Sequence, residues 1–171
     1  MSEIIDELLL TTRLDRGQLR VEREPIEVAA LTRATVLTMA PQLPDSIAIE
    51  VEMQPVAVLA SGDRDRIQQV LLNLLDNAVK YGGPPIRVHI DQTDGVVRIS
   101  VADGGGGVPV GEQERIFEKF YRSDPQLRRS PGGTGLGLYI SRELAERMGG
   151  RLRLRSLPGA GATFSLELPC A

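Results

Sequence analysis

The stretch from Arg66 to Gly82, RIQQVLLNLLDNAVKYG, constrains the fold of this chain most. At about 100° per residue, Ile67, Leu71, Leu74, Leu75 and Ala78 gather on one face of a helix, and Asn73, Asn77 and Lys80 form a stripe turned away from it. One side must therefore be buried against other elements while the other stays accessible. Asparagine is a mediocre helix former, so two of them one turn apart, in line with a lysine, suit ligand contacts better than helix propensity. A solvated polar face has the same pattern, and the stripe alone does not separate the two. Ser61 or Asp63 is the expected N-cap.

A chain of 171 residues suits one domain with a full core and an appendage. Three Phe, three Tyr and no Trp leave that core to Leu, Val, Ile and Ala, and argue against aromatic platforms for nucleic-acid bases; a formal net charge of -3 argues the same way, because binding a polyanion needs a surplus of Lys and Arg. The single cysteine, Cys170, provides neither a disulfide framework nor a cysteine metal site, and fits a reducing compartment. The apolar run Leu8 to Leu10 is far too short for a bilayer span or a signal-peptide core, so no membrane contact by this segment and a cytoplasmic location are expected.

Along the chain, residues 2–15 place Ile4, Ile5, Leu8 and Leu9 at helical spacing. A helix this short is marginal alone, so its apolar face needs a partner elsewhere in the domain or on another chain. A second helix is expected over Ile26 to Met39, ended by Pro41 and Pro44. Ile47 to Val51 alternates as a strand does, with Val56 to Ala60 expected as its hairpin partner. Beyond Gly82, Ile86 to Asp91 and Val96 to Ala102 read as a hairpin across Thr93, Asp94 and Gly95, with Ile86, Val88 and Ile90 inward. That alternation turns the only histidine, His89, outward with Arg87 and Asp91, as a partly exposed strand residue rather than a phosphoacceptor.

Residues 104–135 are rich in glycine and charge, with one helical patch at Glu112 to Phe120; long connections of this kind are usually functional or disordered. A helix over Leu136 to Met148 and a hairpin of Arg151 to Leu157 with Ala162 to Leu168 complete the chain, the arginines of RLRLR forming a solvated strand face. Hairpins dominate over alternating strand and helix units. The expected class is α+β: a two-layer α/β sandwich with a mixed, mostly antiparallel sheet and helices on one face.

Two glycine clusters carry chemistry. In the run from Asp103 through four glycines to Val108 and Pro109, placed where a strand ends, the backbone can approach a flat ligand while the carboxylate accepts from an exocyclic amine; a tight turn needs fewer glycines. In the run from Pro131 to Leu138, PGGTGLGL, glycines lead into a helix N-terminus, where free amides and the positive dipole end suit phosphate. Neither the P-loop pattern nor a Rossmann fingerprint in a parallel βαβ unit is present, so a nucleotide would bind in another way.

Taken in order, NLLDNAVKY at 73–81, DGGGG at 103–107, FEKFYR at 117–122 and GGTGLGLYI at 132–140 resemble the ATP-binding catalytic domain of bacterial sensor histidine kinases, within the superfamily that includes gyrase, heat-shock chaperones and mismatch-repair ATPases. The resemblance runs from about Asp45 to Pro169 and implies the Bergerat-type ATP-binding fold. It implies residues 41–171 as the catalytic domain and 1–40 as the end of a dimerisation helix and its linker. It implies Asn77 as magnesium ligand, Asn73 supporting the phosphates, and Lys80 and Tyr81 as nucleotide contacts. Asp103 resembles the acid that recognises the adenine amine, with Gly105, Gly107 and Val108 around the base. Phe117 and Phe120 match the paired phenylalanines that anchor the lid, Phe120 among the nucleotide-binding set, and Arg122 reaches toward the phosphates. Gly133, Thr134, Gly135, Leu136, Gly137 and Leu138 resemble the phosphate-wrapping turn, and Gly159, Gly161 and Thr163 a last, weaker glycine motif.

The cofactors so implied are ATP and Mg2+, with a lid over Val110 to Gly132 that orders around the phosphates. One departure matters: the family's acceptor run, like H-E-x-R-x-P, has no counterpart here. The expected activity is therefore that of the catalytic half of a protein-histidine kinase, transferring the γ-phosphate to a histidine on a dimerisation domain outside this chain, in the same full-length kinase or a separate protein, with a response regulator downstream. Residues 2–15 would dock that domain or a second copy of this chain. Two alternatives remain in the sequence: an anti-sigma-type serine kinase, and a non-catalytic ATP-sensing module that docks a response regulator.

Overall fold

The computed structural model describes residues 2–53, 57–123 and 133–171. Helix α1 (Ser2–Asp15) is followed by strand β1 (Glu24–Glu27), helix α2 (Val28–Met39), strands β2 (Ile49–Met53) and β3 (Leu59–Gly62), and helix α3 (Arg64–Asn77). Strands β4 (Ile86–Thr93) and β5 (Val96–Ala102), helix α4 (Gly137–Arg147), and strands β6 (Arg151–Ser156) and β7 (Ala162–Pro169) complete the order. Five strands form one sheet in the order β2-β4-β5-β7-β6, in which only the β2–β4 pairing is parallel. The class expected from the sequence, a mixed and mostly antiparallel sheet with helices on one face, is the class observed.

Strand alternation produces the two layers. Val88, Ile90, Val97, Ile99, Leu152, Leu166 and Leu168 are buried with Ile67, Leu71, Leu74 and Leu75 of α3 and Leu144 and Met148 at the end of α4. The opposite sheet face carries Arg87, His89, Asp91, Arg98, Arg153 and Glu167. His89 lies there between the carboxylates of Glu52 and Asp91, at 3.9 and 3.8 Å. Asp94 and Gly95 both have positive φ, 52° and 75°, the geometry in which a two-residue turn follows the twist of the strands it joins.

Helix α3 is capped by Asp63, not Ser61: the Asp63 carboxylate accepts from the backbone N–H groups of Asp65 and Arg66 at 3.1 and 3.2 Å. Its α-helical part ends at Asn77, and a π-helical turn over Ala78–Gly82 carries Lys80 and Tyr81. Such widened turns recur at functional sites.

Three local expectations are corrected. Ile47 to Val51 and Val56 to Ala60 do not form a hairpin: β2 runs parallel to β4, and β3 pairs antiparallel with β1, with Ala60 bridging to Cys170; Val56 itself lies outside the described residues. Apolar alternation marks a strand but does not choose its partner. The second helix starts at Val28 rather than Ile26, because the Glu27 carboxylate caps Ala29 and Ala30 and leaves Pro25 and Ile26 extended in β1. The patch at Glu112 to Phe120 is not one helix but two single 3-10 turns, Val110–Glu112 and Arg115–Phe117.

Helix α1 finds its partner within the chain, through different residues from those expected. Leu10, Thr11 and Leu14 are buried, while Ile4, Ile5, Leu8 and Leu9 remain exposed. Arg147 of α4 donates to the Leu14 carbonyl at 2.7 Å. Lys119 and the Tyr139 hydroxyl both donate to the Asp15 carboxylate, at 2.6 and 2.9 Å. The Lys119 hydrogen bond, then that of Tyr139, holds Asp15 below the ordinary carboxylate range, and the same bond raises Lys119. Ile26, Val28 and Leu31 belong to the same buried cluster as α3.

Candidate functional site

Between α3, the loop after β5, residues 116–123 and the turn into α4 lies a cavity of about 870 Å³. Asn73, Asp76, Asn77, Lys80 and Tyr81 line one wall; Asp103, Gly107, Val108 and Ala162 line another. Arg122, Gly133, Thr134, Gly135, Gly137 and Leu138 line the end from which α4 starts, and Ile4 and Glu7 of α1 border it too. Segments far apart in sequence thus meet around one space.

The α3 wall follows from helical spacing. With Leu74, Leu75 and Ala78 buried, Asn73 and Asn77 fall on the cavity side one turn apart. Lys80 pairs with Asp76 at 2.7 Å, at i,i+4 spacing on a half-exposed flank.

Asp103 is held by its own loop. Its Oδ1 accepts from Gly105 N–H at 2.9 Å and Ala162 N–H at 3.4 Å, and its backbone N–H donates to the Ala162 carbonyl at 2.9 Å. A side chain at Gly82 would collide with the Asp103 carboxylate, so glycine there lets the end of the π turn lie directly on the acid.

At the α4 end, the Thr134 hydroxyl accepts from Leu136 N–H at 3.1 Å and donates to the carboxylate of Glu7. Phe120 N–H donates to the Gly135 carbonyl at 2.9 Å, tying the 116–123 segment to this turn. The N-terminal amides of α4 and its dipole are directed toward the cavity end that Gly137 lines, an arrangement that favours an anion.

Of the seventeen residues expected to act in catalysis or to bind the nucleotide, thirteen therefore line the cavity and four do not. Gly105 packs its backbone on Gly82, Leu136 is fully buried in the core, and Thr163 sits in β7 opposite Ala102 and Arg155. Phe120, expected among the nucleotide contacts, is 62% exposed and is not among the residues that line the cavity; its backbone has a positive φ of 62°. Phe117, its expected companion, is buried edge-on to Phe164 with centroids 6.3 Å apart. Of the segment expected to act as a lid, residues 124–132, with Pro131 and Gly132, lie outside the described residues.

Sequence reasoning missed Asp76, Tyr121, Ile4 and Glu7 in the lining and Ser141 behind it. Asp76 is signalled by its spacing from Lys80. Ser141 lies one turn after Gly137, a polar residue on a helix face that is otherwise apolar, and that is a readable signal.

A two-layer sandwich whose cavity is framed by an asparagine helix, an acid–glycine loop and a glycine-led helix N-terminus defines a class of ATP-binding domains. Residues 62–171 match the histidine kinase-, DNA gyrase B- and HSP90-like ATPase family, and the chain belongs to that family. Among its relatives is the sensor histidine kinase YkoH of Bacillus subtilis, 34% identical over 98% of this chain and 36% of YkoH. The sensor histidine kinase MtrB of Mycolicibacterium paratuberculosis is 32% identical over 97% of this chain and 30% of MtrB. Full-length ShkA, solved in complex with AMPPNP, superposes with a TM-score of 0.85 at 32% identity, covering 99% of this chain and 35% of ShkA. The catalytic domain of histidine kinase ThkA gives 0.75 at 28% identity, covering 86% of this chain and 95% of that domain. The chain thus spans about a third of these two curated relatives.

Proposed function

We propose that this chain binds Mg-ATP in the 870 Å³ cavity and presents the γ-phosphate to a histidine on a dimerisation domain outside it, as the catalytic half of a two-component protein-histidine kinase. The observation that carries the reading is the meeting, around one space, of Asp103 at one wall, the Asn73–Asn77–Lys80 face at another, and the glycine-led start of α4. The carboxylate accepts from the adenine amine; the amides at the α4 end, Lys80 and Arg122 hold the phosphates. The AMPPNP complex of ShkA, a relative with the same fold, supports ATP as the ligand class. Lining this space with the acceptors of Asn73 and Asn77 suits magnesium, which retains water and phosphate oxygens and takes few protein groups; among the described residues no cluster of three or more His, Cys, Asp or Glu offers an all-protein cage. Bound magnesium supplies charge neutralisation at the phosphates, and the chain supplies positioning, which is most of what phosphoryl transfer asks of a protein.

Asn77→Ala is expected to abolish the magnesium-dependent tightening of ATP binding and leave the fold intact, because Leu74 and Ala78 carry the local packing. Titration calorimetry with and without magnesium checks this. Equal magnesium dependence in mutant and parent removes Asn77 from the metal site.

A further inference from the structure

Asn73 does not stand on α3 unaided. Its side-chain Nδ2 donates to the Ser141 hydroxyl of α4 at 2.8 Å, and Ser141 is 1% exposed, a polar side chain placed on the face that α4 packs against α3. The same amide packs against Gly137, the first residue of α4, where any Cβ would overlap Asn73 Oδ1. Two residues one helical turn apart on α4, a hydroxyl and a missing side chain, thus grip one amide from the opposite wall. An amide offers one donor end and one acceptor end. With the Nδ2 end committed to Ser141, the Oδ1 end lies beside Gly137, at the lip of the cavity that both Asn73 and Gly137 line.

We propose that Ser141 is a positioning residue: it fixes the rotation of the Asn73 amide so that an oxygen faces the phosphate end of the cavity. This rests on the nucleotide reading above. An oxygen presented there repels phosphate directly and attracts a hard cation or the cation's own water, so loss of Ser141 must weaken the magnesium-dependent part of binding and must not weaken the magnesium-free part. Supporting partners of this kind are worth on the order of 10-fold or more in affinity when removed. Gly137 is the complementary half of the grip, holding the space into which the oxygen is turned.

The test is titration of ATP into the whole chain, with magnesium and with a chelator, for the parent, Ser141→Ala and Ser141→Thr. Ser141→Ala is expected to weaken Mg-ATP roughly 10-fold without weakening metal-free ATP, and Ser141→Thr, which keeps the hydroxyl, to recover part of the loss. In the metal-free protein, the Asn73 side-chain amide proton donated to Ser141 should exchange more slowly in the parent than in Ser141→Ala, a readout that requires no nucleotide. Mg-ATP affinity unchanged in a Ser141→Ala protein that melts as the parent does overturns the proposal. So does equal weakening with and without magnesium, which makes Ser141 general support for the wall. A parent chain that binds no ATP at all refutes the nucleotide reading itself, whatever Ser141 does to the amide protons.

Discussion

In the proposed reading, Asp103 is the residue on which base selection turns. Its carboxylate is pinned by Gly105 and Ala162 N–H groups and backed by the glycine at 82, so its direction is set before any ligand arrives. Asp103→Asn preserves size and can still accept those two bonds, yet brings an NH2 group to a wall that must accept. It is expected to weaken ATP by about 1.5–3 kcal/mol, the worth of a hydrogen bond to a charged group, and GTP by much less; competition binding of the two nucleotides checks this. A second residue-scale expectation concerns Glu167. Burial pushes its carboxyl up, and hydrogen bonds from Arg151, Arg98 and Arg153 together more than offset that, leaving it below the ordinary range. A depressed carboxyl contributes stability that is present above the ordinary glutamate value and lost as pH falls through the depressed one. Glu167→Gln is therefore expected to lower stability by about 1–3 kcal/mol at neutral pH and to flatten the acid limb of the melting profile; an unchanged acid limb contradicts it. The RLRLR alternation announces exposed arginines, but their convergence on one glutamate is not legible, because it depends on β5, β6 and β7 lying side by side.

At the scale of elements, α3, the β4–β5 hairpin, α4 and the final hairpin can be read from periodicity and glycine punctuation, because each carries its burial pattern within a few consecutive residues. The parallel β2–β4 pairing and the β1–β3 pairing cannot, since a strand's alternation is the same whichever neighbour it joins. The docking of α1 is also hidden: Leu10 and Leu14 bury themselves against α4, a contact between residues more than a hundred positions apart, while the more regular stripe Ile4, Ile5, Leu8 and Leu9 stays in solvent. That docking has a consequence at the cavity, where the Glu7 carboxylate is bonded to Thr134 at the proposed phosphate end. An acid there opposes an arriving triphosphate. Glu7→Gln is expected to tighten Mg-ATP by roughly three- to ten-fold at low salt, and less at high salt as screening removes the repulsion. Calorimetry at two ionic strengths decides it; equal or weaker binding in Glu7→Gln would show that α1 does not oppose the phosphates.

For the whole molecule, the order of strands and helices was enough to read the fold class, and fourteen residues of the four motif runs line one cavity. What the runs cannot convey is which of their members face that cavity: Leu136 lies inside the glycine turn yet belongs to the core, and Phe120 lies inside the aromatic run yet points to solvent. The chain's one histidine, His89, sits on the outer sheet face, across the sheet from the helices that line the cavity. The central claim, that this chain donates phosphate to a histidine it does not itself carry, is tested most directly by incubating it with magnesium and γ-labelled ATP, alone and with a dimerisation-helix protein bearing an H-E-x-R-x-P run. The account predicts no acid-labile, alkali-stable label on this chain by itself and such a label on the added helix, lost when that helix's histidine is replaced. Self-labelling that disappears in His89→Ala, or no label on any cognate helix despite tight ATP binding, would contradict it.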